Sequence, residues 1–161
     1  MAPAMPFLDP AAFRAALRPG QRLIGIDLGS KNVGLALSDT GLMVASPLET
    51  MKRGRLKEDV ATLRERVTRY DVGGIVIGLP RNMDGSDGPA AQAARAYARN
   101  LARELDLPVT MWDERLSTAA VERTLLDADM SRRRRGEVID KMAASFILQG
   151  FLDRLAFIAR S

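Results

Sequence analysis

The chain of 161 residues contains no cysteine and no histidine. Disulfides, thiol nucleophiles, zinc sites built on Cys or His, and Ser-His-Asp triads are thereby excluded. Catalysis, if present, rests on Asp, Glu, Lys, Arg, Ser, Thr, Tyr or a metal held by oxygen. Aromatic residues are scarce at 5%, with a single Trp, but hydrophobic residues reach 47%. A chain of this length and apolar content builds a core without cross-links and fits one domain. No uninterrupted apolar run approaches the ~18 residues needed to cross a bilayer, and residues 1–9 lack the basic segment and apolar stretch of an export signal. Both absences point to the cytoplasm and away from a membrane.

Arginine, by contrast, is abundant. Lys and Arg total 24 against 20 Asp and Glu, a net charge of +4. Most of those cations are Arg, whose planar fork suits phosphate oxygens. A compositional bias toward Arg and Ala gives the same count, so the charge permits a polyanionic partner without requiring one.

Residues 1–20 are rich in Ala and Pro and read as an N-terminal extension with one short helix, capped by Asp9 and opened by Pro10. Residues 21–161 form the main domain. Short β-like runs follow at Leu23–Leu28, Val33–Leu37 and Met43–Ser46, separated by turn-forming residues. Leu56, Val60, Leu63, Val67 and Tyr70 recur at helical spacing over Arg55–Tyr70. Gly73–Ile77 is a compact apolar strand. Pro89–Leu105 reads as a helix burying Ala94, Tyr97, Leu101 and Leu105. Pro108–Trp112 is a further strand, Ser117 to about Ala128 a helix, Ser131–Gly136 a charged loop, and Glu137 to about Ile158 a last long helix. This order predicts an α/β fold: a mixed five-stranded sheet, three antiparallel strands then two parallel ones, flanked by helices.

Asp27 alternates with Ile26 and Leu28 in an otherwise apolar strand. A carboxylate buried there needs an ion pair, hydrogen bonds or a cation, and capping of the Gly29 and Ser30 amides is the plainest way to satisfy it. Asp113 and Glu114 end a second strand. Successive strand residues face opposite sides, so only one of them shares a face with Asp27. Asp140 reads as a first-turn acid of the last helix, a position that the helix dipole by itself favours. Taken together, one acid mid-sheet, one at the end of a later strand and one on the final helix can converge. Like charges so close repel unless divalent cations neutralise them. Oxygen-only ligands select hard ions, Mg²⁺ or Mn²⁺, and a pair of such ions supports phosphodiester hydrolysis with no nucleophilic side chain.

The loop Gly78–Gly88 follows a strand and opens a helix, where backbone amides, Arg81 and Asn82 can meet a phosphate. Lys31 and Arg115 flank the acids. Arg132, Arg133, Arg134 and Arg135 form an uninterrupted basic run expected in a loop, and Lys52, Arg53, Arg55 and Lys57 form a looser cluster. Such runs are ordinary solvated surface unless a polyanion is the substrate, in which case they become backbone contacts.

Three segments in order, Gly25-Ile26-Asp27-Leu28-Gly29-Ser30-Lys31 through Asp39, Ile75–Pro80 through Asn82-Met83-Asp84-Gly85, and Asp113-Glu114-Arg115-Leu116-Ser117-Thr118 with Ile139-Asp140 and Ala143-Ala144, resemble the bacterial YqgF/RuvX family. The resemblance spans about Leu23 to Leu155. Asn32 stands where the family often has Arg, and Arg81 where an aliphatic residue or Lys is usual. It implies an RNase H-like fold and a nuclease that matures the 5′ end of pre-16S ribosomal RNA in ribosome biogenesis. Resolution of Holliday junctions in branched DNA is the alternative activity. Asp27, Glu114 and Asp140 fall on the family's acidic, metal-holding positions. The implied partners are nucleic acid and ribosomal particles. A non-catalytic RNA-binding assembly factor is the remaining alternative. The strand ending at Asp27 also resembles the phosphate loop of actin-like ATPases, but those close two related domains over a nucleotide and this chain is too short for both.

Overall fold

The computed structural model describes residues 8–116 and 132–159, with side chains in the second segment from residue 138 onward. In chain order the elements are α1 (Pro10–Ala15), β1 (Arg22–Leu28), β2 (Asn32–Ser38), β3 (Ala45–Lys52), α2 (Leu56–Arg69), β4 (Val72–Leu79), α3 (Pro89–Leu105), β5 (Val109–Asp113), a 3-10 turn (Glu114–Leu116) and α4 (Arg132–Ala159). The helix expected from Ser117 lies outside the described residues.

The strands form one sheet in the order β3-β2-β1-β4-β5. Pairs β1/β2 and β2/β3 are antiparallel, and β1/β4 and β4/β5 are parallel, as the sequence pattern predicts. Every residue of β4 is buried, which is why its apolar run shows no alternation: helices cover both faces. On one face Ile24, Ile26, Leu35, Ile75 and Ile77 pack under Val60 and Leu63 of α2 and Tyr97 and Leu101 of α3. On the other, Leu23, Ala36, Val76 and Trp112 meet Ala144, Ile147, Leu148 and Phe151 of α4.

Three expectations shift. The third strand lies at Ala45–Lys52, beyond the predicted Met43–Ser46, and Met43 and Val44 are exposed in the preceding turn. As an edge strand it is half covered, carries Pro47 beside a register shift, and so lacks the apolar alternation that marks an inner strand. The last helix begins by Arg132, five residues before the expected Glu137. Arg132 to Arg135 therefore have helical backbone and are not in a loop, and Asp140 sits about two turns in rather than in the first turn. Gly136 is tolerated because an interior glycine costs only ~1 kcal/mol, far less than the packing of α4 returns. Finally, α1 is docked. Asp9 caps it by accepting from Ala12 N at 2.8 Å, and Phe13, fully buried, meets Phe151 edge-on at 5.3 Å. The Thr110 hydroxyl donates to Leu8 O at 2.6 Å. Residues 1–20 therefore contribute to the core more than their composition indicates.

One stretch of α4, Val138–Ala159, reaches a mean hydropathy of 1.4 over 22 residues. Its apolar side chains face the sheet, as befits a core helix.

Candidate active site

On β1 the residues Leu23, Gly25 and Asp27 face α4, while Ile24 and Ile26 face α2 and α3. Asp27 is paired across β1/β2 with Gly34. A Cβ on Gly34 would collide with the backbone carbonyl of Asp140. The missing side chain lets α4 settle directly on β2, and it settles at Asp140, beside the strand residue that faces Asp27. On the other flank lies Gly78 of β4, one residue past Ile77, which pairs with Ile26. Gly78 pairs with Trp112 of β5. Two residues beyond Trp112, Glu114 emerges on the same face, its carboxyl carbon 3.4 Å from where a Gly78 Cβ would sit. Strands β1 and β5 are two spacings of ~4.8 Å apart. A glutamate lying over a glycine is long enough to narrow that gap.

Asp27 and Glu114 are each only 7% exposed, and Asp140 is half-buried. All three acids thus occupy the α4 face at the carboxyl end of the central strands, the end where ligands bind in open α/β sheets. Their donors are oxygens only, which fits a hard divalent cation. Among the described residues no group of three acidic side chains is placed to hold one ion. The acids share a face and an end of the sheet without closing into a three-ligand cage.

Asp113 takes the opposite face. Arg115 forks onto it, Nε lying 3.1 Å from each carboxylate oxygen and Nη2 2.7 Å from Oδ2. Arg81 adds a longer contact of 3.8 Å. The hydrogen bonds from Arg115 hold the Asp113 carboxyl below the usual carboxylate range, against a smaller opposing effect of burial. The choice between the two adjacent acids is therefore made by the pleat: Glu114 joins the Asp27 face, and Asp113 is taken up by cations.

The remaining candidates flank these acids. Arg81 donates to Asp87 at 3.1 Å and to Gly85 O, and Arg95 reaches Asp87 at 2.5 Å. Asn82 donates to the Ser86 hydroxyl at 3.0 Å. The loop is held by its own polar groups together with Arg115, which contacts Met83 O at 3.4 Å. Lys31 is exposed in the turn after β1. The side chains of Arg132 to Arg135 lie outside the described set.

Sequence reasoning missed a polar brace behind the β1–β2 turn. Arg53 donates to Gly29 O at 3.0 Å and lies 5.7 Å from the Tyr97 ring centroid. The Tyr97 hydroxyl donates to buried Asp59 at 3.1 Å, and Gly54 N donates to the same carboxylate at 2.9 Å. Burial first, and the Asp59 charge second, push the Tyr97 hydroxyl well above its usual range. The available signal was Asp59, an acid next to Val60 on the apolar stripe of α2.

A sheet in the order 3-2-1-4-5, with acids on its central strand, past its last strand and on its final helix, defines a protein of the RNase H-like nuclease class. This chain belongs to the RuvX family: the profile described as "RuvX: Holliday junction resolvase" matches residues 21–154. It is 57% identical over 152 residues to a protein of Roseobacter denitrificans, covering 93% of each chain, and 55% identical over 149 residues to one of Paramagnetospirillum magneticum, covering 92% of this chain and 96% of the other. Both relatives carry the name "Putative pre-16S rRNA nuclease". Among solved structures, RuvC of T. thermophilus in complex with a Holliday junction substrate aligns at a TM-score of 0.52 and 15% identity, covering 84% of this chain and 96% of that one. That likeness is one of fold.

Proposed function

We propose that this chain is a metal-dependent nuclease of the cytoplasm that hydrolyses phosphodiester bonds, with 5′-end maturation of pre-16S ribosomal RNA as its task. Asp27, Glu114 and Asp140 are its catalytic, metal-holding residues. The observation that carries this reading is the paired approach at two glycines: Glu114 lies over Gly78, and α4 rests at Asp140 on Gly34, the partner of Asp27. Mg²⁺ or Mn²⁺ ions bound there, about 3.5–4 Å apart, would supply an activated water and stabilise the leaving oxygen.

The chain's own residues do the rest. Asp27 offers a carboxylate from a strand locked on both sides, so its oxygens are held without loss of side-chain freedom on binding. Glu114 closes in from the end of β5, its backbone direction set by the Asp113–Arg115 fork on the opposite face. Asp140 completes the set from α4. Their mutual repulsion disfavours the empty, fully ionised state and so strengthens the hold on a cation. Lys31, Arg81, Asn82, Arg115 and Arg132 to Arg135 are positioned along the chain to meet phosphates around the acids, with ribosomal precursor particles as the physiological partner. The names of the relatives support RNA as the substrate; the family description supports branched DNA as a second reading.

The test offers the purified protein a 5′-extended pre-16S RNA and a four-way DNA junction, each with Mg²⁺ or Mn²⁺ and with chelator. Discrete cuts in the RNA, absent with chelator and in Asp27→Asn, are expected. Cutting of the junction alone would make the protein a resolvase. RNA binding with no cleavage under any metal would make it an assembly factor, and cleavage that survives exhaustive chelation would remove the metal mechanism.

A further inference from the structure

A cation already facing a carboxylate has little charge left for a phosphate, so ion-pair occupancy separates the two sides of the acidic site. On the β5 side the guanidiniums are engaged: Arg81 and Arg95 on Asp87, Arg115 on Asp113. On the β3 side they are not. Lys31, Lys52, Arg55 and Lys57 are exposed, and no ion pair or side-chain hydrogen bond engages them among the described residues.

Topology brings these four to the acids. Strand β3 is two antiparallel steps from β1, so it runs the same way and its carboxyl end, Lys52, emerges at the Asp27 end of the sheet. Lys52 pairs with Asn32, and Arg53 N donates to Lys31 O at 2.8 Å. The turn that carries Lys31 begins two residues after Asp27 and is closed by Gly29 N donating to Asn32 O at 2.9 Å. Arg53 ties the same turn to β3 through Gly29 O. Arg55 and the first turn of α2, with Lys57, continue the lip. The acids of this segment are Glu58 and the buried, doubly hydrogen-bonded Asp59.

We infer that this β3–α2 lip is the track that carries the sugar-phosphate backbone of a single-stranded polynucleotide to the acids. The inference takes only the identity of the polyanion from the nuclease reading. Phosphates meeting uncompensated cations release counterions, whereas a phosphate that exchanges with a carboxylate already paired to Arg81 or Arg115 releases few. The lip therefore dominates the salt dependence of binding while adding little sequence preference.

The experiment measures affinity for a fluorescent uridine oligonucleotide against salt, in chelator so that nothing is cut. Replacing Lys31, Lys52, Arg55 and Lys57 together by Ala is expected to flatten the log–log slope by roughly 2.1–2.8, at ~0.7 per contact for three to four contacts. A control with equal loss of charge replaces Arg64, Arg69, Arg99 and Arg103, on the outer surface of α2 and α3, and is expected to leave the slope unchanged. The charge-conserving set K31R, K52R, R55K and K57R is expected to keep it too, which excludes misfolding as the cause. Equal flattening by lip and control sets, unchanged slope in the lip set, or no oligonucleotide binding by the wild type would each overturn the inference. Loss of cleavage with the slopes as expected would overturn the nuclease reading alone.

Discussion

At the residue scale the two glycines of the site make opposite demands. Gly34 faces backbone, which cannot swing aside, so Gly34→Ala is expected to cost ~1–3 kcal/mol as overpacking. Melting should fall by about 2–4 °C per kcal/mol for a chain of this size. Gly78 faces the tip of Ile147 and the Glu114 carboxyl, both movable. Gly78→Ala should therefore lose little in melting temperature but much in cleavage; a variant with unchanged cleavage would show that Glu114 does not work from over Gly78. Asp27→Asn is expected to keep the fold and lose at least ~100-fold in rate, since even partners standing behind a metal ligand cost ~10–100-fold when removed. Full activity at equal Mg²⁺ would dismiss Asp27 as a ligand. Asp113 gives a pH signature. Its folded pKa lies below the usual value, so the support it lends is complete above the unfolded pKa of ~3.9 and is lost as pH falls through the lower folded value. The melting difference between wild type and Asp113→Asn should be constant from neutral pH to about pH 5 and shrink only below ~3.9.

At the element scale, α1 and α4 depart most from a local reading. Helix α1 has six residues and one buried side chain, Phe13, but that ring fills space between β4 and α4, against Gly74 and Phe151. Phe13→Ala is expected to cost ~3–5 kcal/mol, the usual loss for a truncated core aromatic, and deletion of residues 1–20 at least as much. Melting temperatures decide this; values near wild type for both variants would return the segment to the status of an appendage. Helix α4 carries Asp140 about two turns from its described start, so the helix dipole no longer accounts for that acid, because the effect fades beyond the first turn. Its place is set by the close packing of α4 on Gly34 and Gly25.

At the scale of the whole molecule, the acids and a bound ion should behave as one thermodynamic unit. An ion that binds the folded chain alone stabilises it by about 2.7 kcal/mol at a hundredfold excess over its dissociation constant. Raising Mg²⁺ or Mn²⁺ is thus expected to raise the melting temperature of the wild type and not of Asp27→Asn, with no reference to cleavage; identical curves would remove the metal from the site. The sequence by itself determined the strand order and the helix faces, because apolar spacing in Ile24–Ile26, Gly73–Ile77 and Leu56–Tyr70 is a local consequence of which faces are covered. It also exposed Asp27, since a lone acid in an apolar strand contradicts its surroundings. Other features were decided only by tertiary structure. The pleat and the register of β4 with β5 assigned Glu114 to one face and Asp113 to the other. The docking of Phe13 and the β3 edge depended on partners far along the chain. So did the division of cations into paired and free, because Asp87 and Asp113 meet Arg81 only after the loop between β4 and α3 has folded beside the end of β5. Spacing records which way a residue faces along its own element; charge compensation depends on what stands opposite, which the fold alone supplies.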